Sequence, residues 1–172
     1  MSLPLQGKEQ GKRHFALQLI PDVPDVRRQV MDFRIRRAPE ELEATGFMDI
    51  VPSKFSGKHW QVGSLFIWED SFNVAEGIVA QHLPTFDHMA INEISRPVGA
   101  AIIAEWQSVG GRLPDLTADE AITELYLAGW FQEQFREEFD SSRAEMATLL
   151  RELSQECGQF YAQSEWITIL GV

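Results

Sequence analysis

From Ser71 to Leu83 the apolar residues Phe72, Ala75, Ile78, Val79 and Leu83 recur three and four positions apart, the spacing of a helix that buries one face. Asp70 and Pro84 bound this segment, and Gly77 is a weak point inside it. A second helix is predicted to start after Ser95, a capping residue with Pro97 in the first turn, and to stop at Gly110-Gly111. Thr117-Ala118-Asp119-Glu120 and Ser142-Arg143-Ala144-Glu145 each set a carboxylate three residues beyond a hydroxyl, the capping box that satisfies free backbone N–H groups at a helix start. The pattern therefore predicts one helix from Ala118 to about Phe139 and another from Ser142 to about Ala162. The latter carries the stripe Met146, Leu149, Leu150, Leu153, Cys157 and Phe160.

Elsewhere the pattern is that of strands. His14 to Ile20 is a compact apolar run ended by Pro21, and Val30 to Ile35 alternates Val30, Asp32 and Arg34 against Met31, Phe33 and Ile35. Pro21 to Asp25 between them is turn-like, Pro39 to Gly46 suits a short helix or turn, and Phe47 to Gly57 reads as loop. Trp60 to Trp68, rich in aromatic and β-branched residues, predicts a strand bent at Gly63. Met89 to Ile94 and the closing Trp166-Ile167-Thr168-Ile169-Leu170 are further strands. The expected fold is α+β: a mainly antiparallel sheet of four to five strands packed against three to four helices. Residues 1–13 are expected to be a flexible tail before a single domain, 14–172.

Composition agrees with one core. The chain has 172 residues, 44% of them hydrophobic, with five Trp and eleven Phe, against a usual domain size of about 100–150 residues. Met1 to Arg13 lacks the apolar stretch of a secretory leader, and the longest clearly apolar run, Val98 to Ala104, ends at Glu105. The single cysteine, Cys157, allows no intrachain disulfide and no cysteine-based zinc site. A cytoplasmic protein that does not span a membrane is expected.

The net charge of −11 is unevenly placed. Residues 1–60 hold 10 Lys+Arg and 8 Asp+Glu, and residues 61–172 hold 5 and 18, so the two parts carry +2 and −13. Such a surface repels phosphate backbones and anionic lipid, and attracts basic partners. Nucleic acid is a poor candidate ligand, and solubility alone is the other account of the acidity.

Gly-rich phosphate loops, dinucleotide fingerprints, nucleophile elbows and His-Glu-x-x-His pairs are all absent, and no cofactor is expected. The nearest thing to a metal set is His82, Asp87 and His88, but Pro84 keeps the two imidazoles off one regular helical face. Glu69 and Asp70, at a strand end before a helix, suit either an acid/base pair or a helix N-terminus that favours negative charge. Cys157, on an apolar stripe, reads as a core residue rather than a nucleophile.

On the predicted Ala118–Phe139 helix, turning about 100° per residue, Ala121, Leu125, Ala128, Phe135 and Phe139 share the core side. Nearly opposite lie Asp119, Tyr126, Trp130, Glu133 and Glu137, an aromatic pair among carboxylates. Trp and Tyr are favoured anchors at interfaces, and acidic neighbours select a basic partner. The alternative is that the terminal strand or the N-terminal segment covers both rings, since large aromatics are usually well buried.

The order of elements, with Phe66-Ile67-Trp68-Glu69-Asp70 leading into a helix, acidic helices later and a closing Trp166-Ile167-Thr168-Ile169-Leu170-Gly171-Val172, resembles small immunity proteins of bacterial polymorphic toxin systems. The likeness covers residues 60–172 as a layout. It implies a non-enzymatic protein that binds and blocks a cognate toxin. Many toxin domains act on nucleic acids and are basic, so an acidic inhibitor could imitate the charge of their substrate. Two other readings stay open: a small metal-dependent enzyme using His82, Asp87 and His88, and a homo-oligomeric interaction module that pairs through Trp130.

Overall fold

Strands β1 (Phe47–Val51), β2 (Leu65–Trp68), β3 (Ile91–Ser95) and β4 (Trp166–Leu170) form one antiparallel sheet in the order β2-β1-β4-β3. Among the described residues four α-helices accompany it: α1 (Glu69–His82), α2 (Arg96–Arg112), α3 (Ala118–Glu124) and α4 (Gln132–Gln163). The computed structural model describes residues 31–171, so the tail at 1–13, the strand expected at His14–Ile20 and the turn after it lie outside the described residues. The α+β layout is the one expected, with four strands among the described residues. No helix there is long and apolar enough to cross a membrane.

Met48 and Ile50 of β1, Leu65 and Ile67 of β2, Ile94 of β3, and Ile167 and Ile169 of β4 share one sheet face and belong to the main hydrophobic core with the helices. Burying each such side chain contributes about 1.5–3 kcal/mol. On the other face Phe47, Asp49, Val51, Phe66, Thr168 and Leu170 are buried as well. Residues 52–64 reach that face, where the Thr168 hydroxyl donates to Ser53 O at 2.7 Å and Trp60 N–H donates to Asp49 Oδ2 at 2.9 Å. This explains a correction: the start of Phe47–Gly57 is a strand, not loop. A strand covered on both faces shows no alternation of polar and apolar residues.

Three other expectations change. The Trp60–Trp68 strand is confined to Leu65–Trp68, because Trp60 and Gly63 both have positive φ (54° and 93°) and hold residues 60–64 in turns. Met31, Phe33 and Ile35 are buried while Arg34 is exposed, as alternation predicts, but only Arg36 pairs with the sheet, exchanging two 2.9 Å hydrogen bonds with Phe66. Helix α2 runs through Gly110-Gly111 to Arg112 instead of stopping there. An added Cβ on Gly110 would lie 3.0 Å from Leu150 Cβ and 3.2 Å from Ala147 O, so this glycine serves the packing of α2 on α4.

Helix α4 is also longer than expected. Ser142 does not cap a new helix but sits inside the 32-residue α4, on a buried stripe of Phe135, Phe139, Met146, Leu149, Leu150, Leu153 and Cys157. Continuous burial on one face outweighs the local capping option. The stripe continues to Tyr161, whose hydroxyl donates to Ile94 O at 3.0 Å and ties the end of α4 to the sheet.

Candidate functional site

Helix α3 begins at its predicted capping box: Glu120 N–H donates to Thr117 Oγ1 at 3.4 Å, and Thr117 N–H donates to Glu120 Oε2 at 2.8 Å. It ends after two turns. Tyr126 takes φ +52°, a left-handed conformation rarely adopted by a bulky residue, and the chain turns back. Hydrogen bonds from Leu127 N–H to Ile122 O (3.1 Å), Phe131 N–H to Ala128 O (3.0 Å) and Gln132 Nε2 to Leu127 O (2.9 Å) secure the turn. Leu125, Leu127 and Phe131 are buried, and Tyr126, Ala128, Gly129 and Trp130 are exposed.

The single helix expected from Ala118 to Phe139 is therefore two helices around a turn. The physical reason is burial: Leu125, Leu127 and Phe131 all reach the core, and no single helical stripe joins positions spaced by two and then four. The consequence shows in Asp119 and Arg136, whose Oδ1 and Nε lie 2.8 Å apart. Along a straight helix, 17 residues would separate them by roughly 25 Å.

Asp119, Tyr126, Trp130, Glu133 and Glu137 are thus not one helix face but three adjoining pieces. Asp119 stands on α3, the two aromatics on the turn, and Glu133 and Glu137 on the first turns of α4, all exposed. Tyr126 is 45% and Trp130 71% exposed, so no described segment covers them. The Trp130 ring leans on the buried Phe131 ring, with centroids 5.6 Å apart.

Tyr126, Ala128 and Phe131 face Asn73, Glu76, Gly77 and Ala80 of α1 across a cleft of about 130 Å³. Hydrogen bonding to the Glu105 carboxylate of α2, and the charge there, hold the Tyr126 phenol above its usual pKa. Nothing in the periodicity pointed to this cleft, because α1 meets the turn only in three dimensions.

His82 and His88 turn to different carboxylates. His82 Nε2 lies 2.6 Å from Glu105 Oε2. His88 sits between two residues of α1, with Nδ1 on Glu76 Oε2 and Nε2 3.1 Å from Glu69 Oε1. Asp87 faces neither imidazole: its Oδ1 accepts from Met89 N–H at 3.0 Å. Among the described residues no three His, Cys, Asp or Glu side chains are placed to hold a metal ion. Glu69 and Asp70 also part company, since Asp70 Oδ2 accepts from Trp68 Nε1 at 3.3 Å. Cys157 is fully buried, and burial pushes its thiol up to about 12.

Sequence reasoning missed Asp49. It is fully buried on β1, where Oδ2 accepts from Trp60 N–H while Oδ1 and the neighbouring Ser64 hydroxyl complete no hydrogen bond of good geometry. Burial raises its pKa above the usual carboxylate value, against the pull of Trp60, Ser64 and His59. A lone Asp in an apolar pentapeptide was the available signal.

Comparison with known protein families, curated proteins and solved structures finds no match for this chain.

Proposed function

We propose that this protein is a non-enzymatic, intracellular, immunity-like inhibitor that binds and occludes a basic toxin or effector protein. The observation that carries this reading is the exposure of Trp130 and Tyr126, 71% and 45%, on a hydrogen-bonded turn bordered by Asp119, Glu133 and Glu137. A large indole held in water on an ordered turn is favourable to cover, and Trp and Tyr dominate interface energetics. The −13 charge of residues 61–172 would steer a basic partner to this face and hasten docking. The layout likeness to immunity proteins points the same way.

The test is affinity capture from the native cell extract with tagged wild type, Trp130→Ala and the double charge reversal Glu133→Lys/Glu137→Lys. Wild type should retain one stoichiometric basic protein, released as salt rises, and both variants should lose it while staying folded. Equal retention by all three proteins would remove this face from the reading. Concentration-dependent dimerisation lost in Trp130→Ala would instead favour the self-association reading.

A further inference from the structure

The cleft between α1 and the α3–α4 turn has a size and a chemistry that select one kind of occupant. Its volume of about 130 Å³ falls well below the roughly 300–1,000 Å³ of ordinary small-molecule sites, so it fits a single side chain. Ala80, Ala128, Tyr126 and Phe131 contribute to its lining beside Gly77, and Asn73 and Glu76 bring an amide and a carboxylate. His88 holds Glu76 through Oε2 and so fixes the carboxylate's orientation. With Glu69 on the other side of the same imidazole, the group keeps an excess of negative charge whether or not His88 is protonated.

We propose that this cleft is a socket for one arginine side chain of the basic partner, a proposal that rests on the inhibitor reading above. A guanidinium is planar, stacks on aromatic rings, is weakly hydrated and forks onto a carboxylate, and these properties match that lining. A lysine ammonium is a strongly hydrated point charge that gains less from an aromatic neighbour such as Tyr126. Trp130, exposed and with its ring 5.6 Å from that of Phe131, is the neighbouring aromatic that the partner would cover at the same time. The socket is preorganised, because Gly77 and Leu125 meet at backbone distance and Tyr126 is held at φ +52°.

The test is an amide-resolved NMR titration with N-acetyl-arginine amide, repeated with the lysine and citrulline analogues. The arginine probe should give saturable shifts at Gly77, Ala80, Tyr126 and Ala128, and the neutral citrulline probe should bind at least about tenfold more weakly. Ala128 is exposed, so Ala128→Leu should fold normally while filling the socket and abolishing the shifts. Unsaturable shifts, an equal response to citrulline, or shifts unchanged in a folded Ala128→Leu protein would overturn the proposal. The two readings fail separately. A captured partner that tolerates Ala128→Leu but not Trp130→Ala overturns the socket alone. Saturable arginine binding without any captured partner supports the socket and removes the inhibitor reading.

Discussion

Gly77 of α1 and Leu125 at the end of α3 approach so closely that a Cβ added to Gly77 would lie 2.1 Å from the Leu125 carbonyl oxygen. The atom it would meet is backbone, and the next is Tyr126 O at 2.7 Å, so no side chain can swing away to make room.

This contact reverses the usual sign of a helix substitution. Gly→Ala inside a helix ordinarily stabilises by about 1 kcal/mol, whereas overpacking costs about 1–3 kcal/mol. Gly77→Ala should therefore lower the melting temperature by a few degrees, at about 2–4 °C per kcal/mol for a chain of this size. A thermal melt showing a rise would mean that the α3–α4 turn moves aside at no cost.

His88 should make stability depend on pH. Burial alone would lower its pKa, but hydrogen bonds to Glu76 and Glu69, with their charges, outweigh burial and raise it above 6.5. The folded chain therefore holds the proton more tightly than the unfolded chain. The resulting stabilisation is fully present below the unfolded value and is lost as the pH rises through the folded one. Melting curves of wild type and His88→Gln between about pH 5 and 9 should differ most at the acid end and converge at the alkaline end. A constant difference would sink this assignment.

Asp49 works in the same direction as His88 but from a different cause. Burial raises the pKa of an acid, so the folded chain binds a proton that the unfolded chain has released, and stability falls as the pH rises from the unfolded value through the folded one. Asp49→Asn keeps an oxygen for Trp60 N–H and cannot ionise. It should match or exceed wild type in denaturant midpoint near neutral pH, with the advantage fading below about pH 4. Asp49→Ala leaves that N–H unpartnered and should cost about 1–3 kcal/mol.

Cys157, buried in α4 with a thiol pushed up to about 12, should not react with a thiol reagent in the folded protein and should react fully in denaturant. Rapid labelling of the native protein would show that α4 opens locally.

Trp130→Ala should change folding stability by no more than about 0.5 kcal/mol, since the side chain is 71% exposed. Loss of partner binding at unchanged stability separates a docking role from a structural one, and the measurement is a pair of denaturant melts beside the capture experiment.

What local chemistry controls was legible in the chain. The three-and-four spacing of Phe72, Ala75, Ile78 and Val79 appears as α1, the Thr117–Glu120 box caps α3, and the β-rich Trp166–Leu170 becomes a strand. These depend on neighbours within a turn or on alternate residues, so a single sequence carries them. The aromatic and acidic residues of the candidate site were also legible as types, though not as a surface.

Only the tertiary structure decided the rest. It placed β1 in the sheet, where cover on both faces erases alternation, and it carried α4 through Ser142, where unbroken burial overrides a capping box. It broke the helix at Tyr126, because Leu125, Leu127 and Phe131 each gain more by reaching the core than one straight helix allows. That break leaves Tyr126 and Trp130 outside, opens the cleft against Gly77 and joins Asp119 to Arg136. The sequence determined the residues and their local preferences; burial across distant segments determined which of those preferences prevailed.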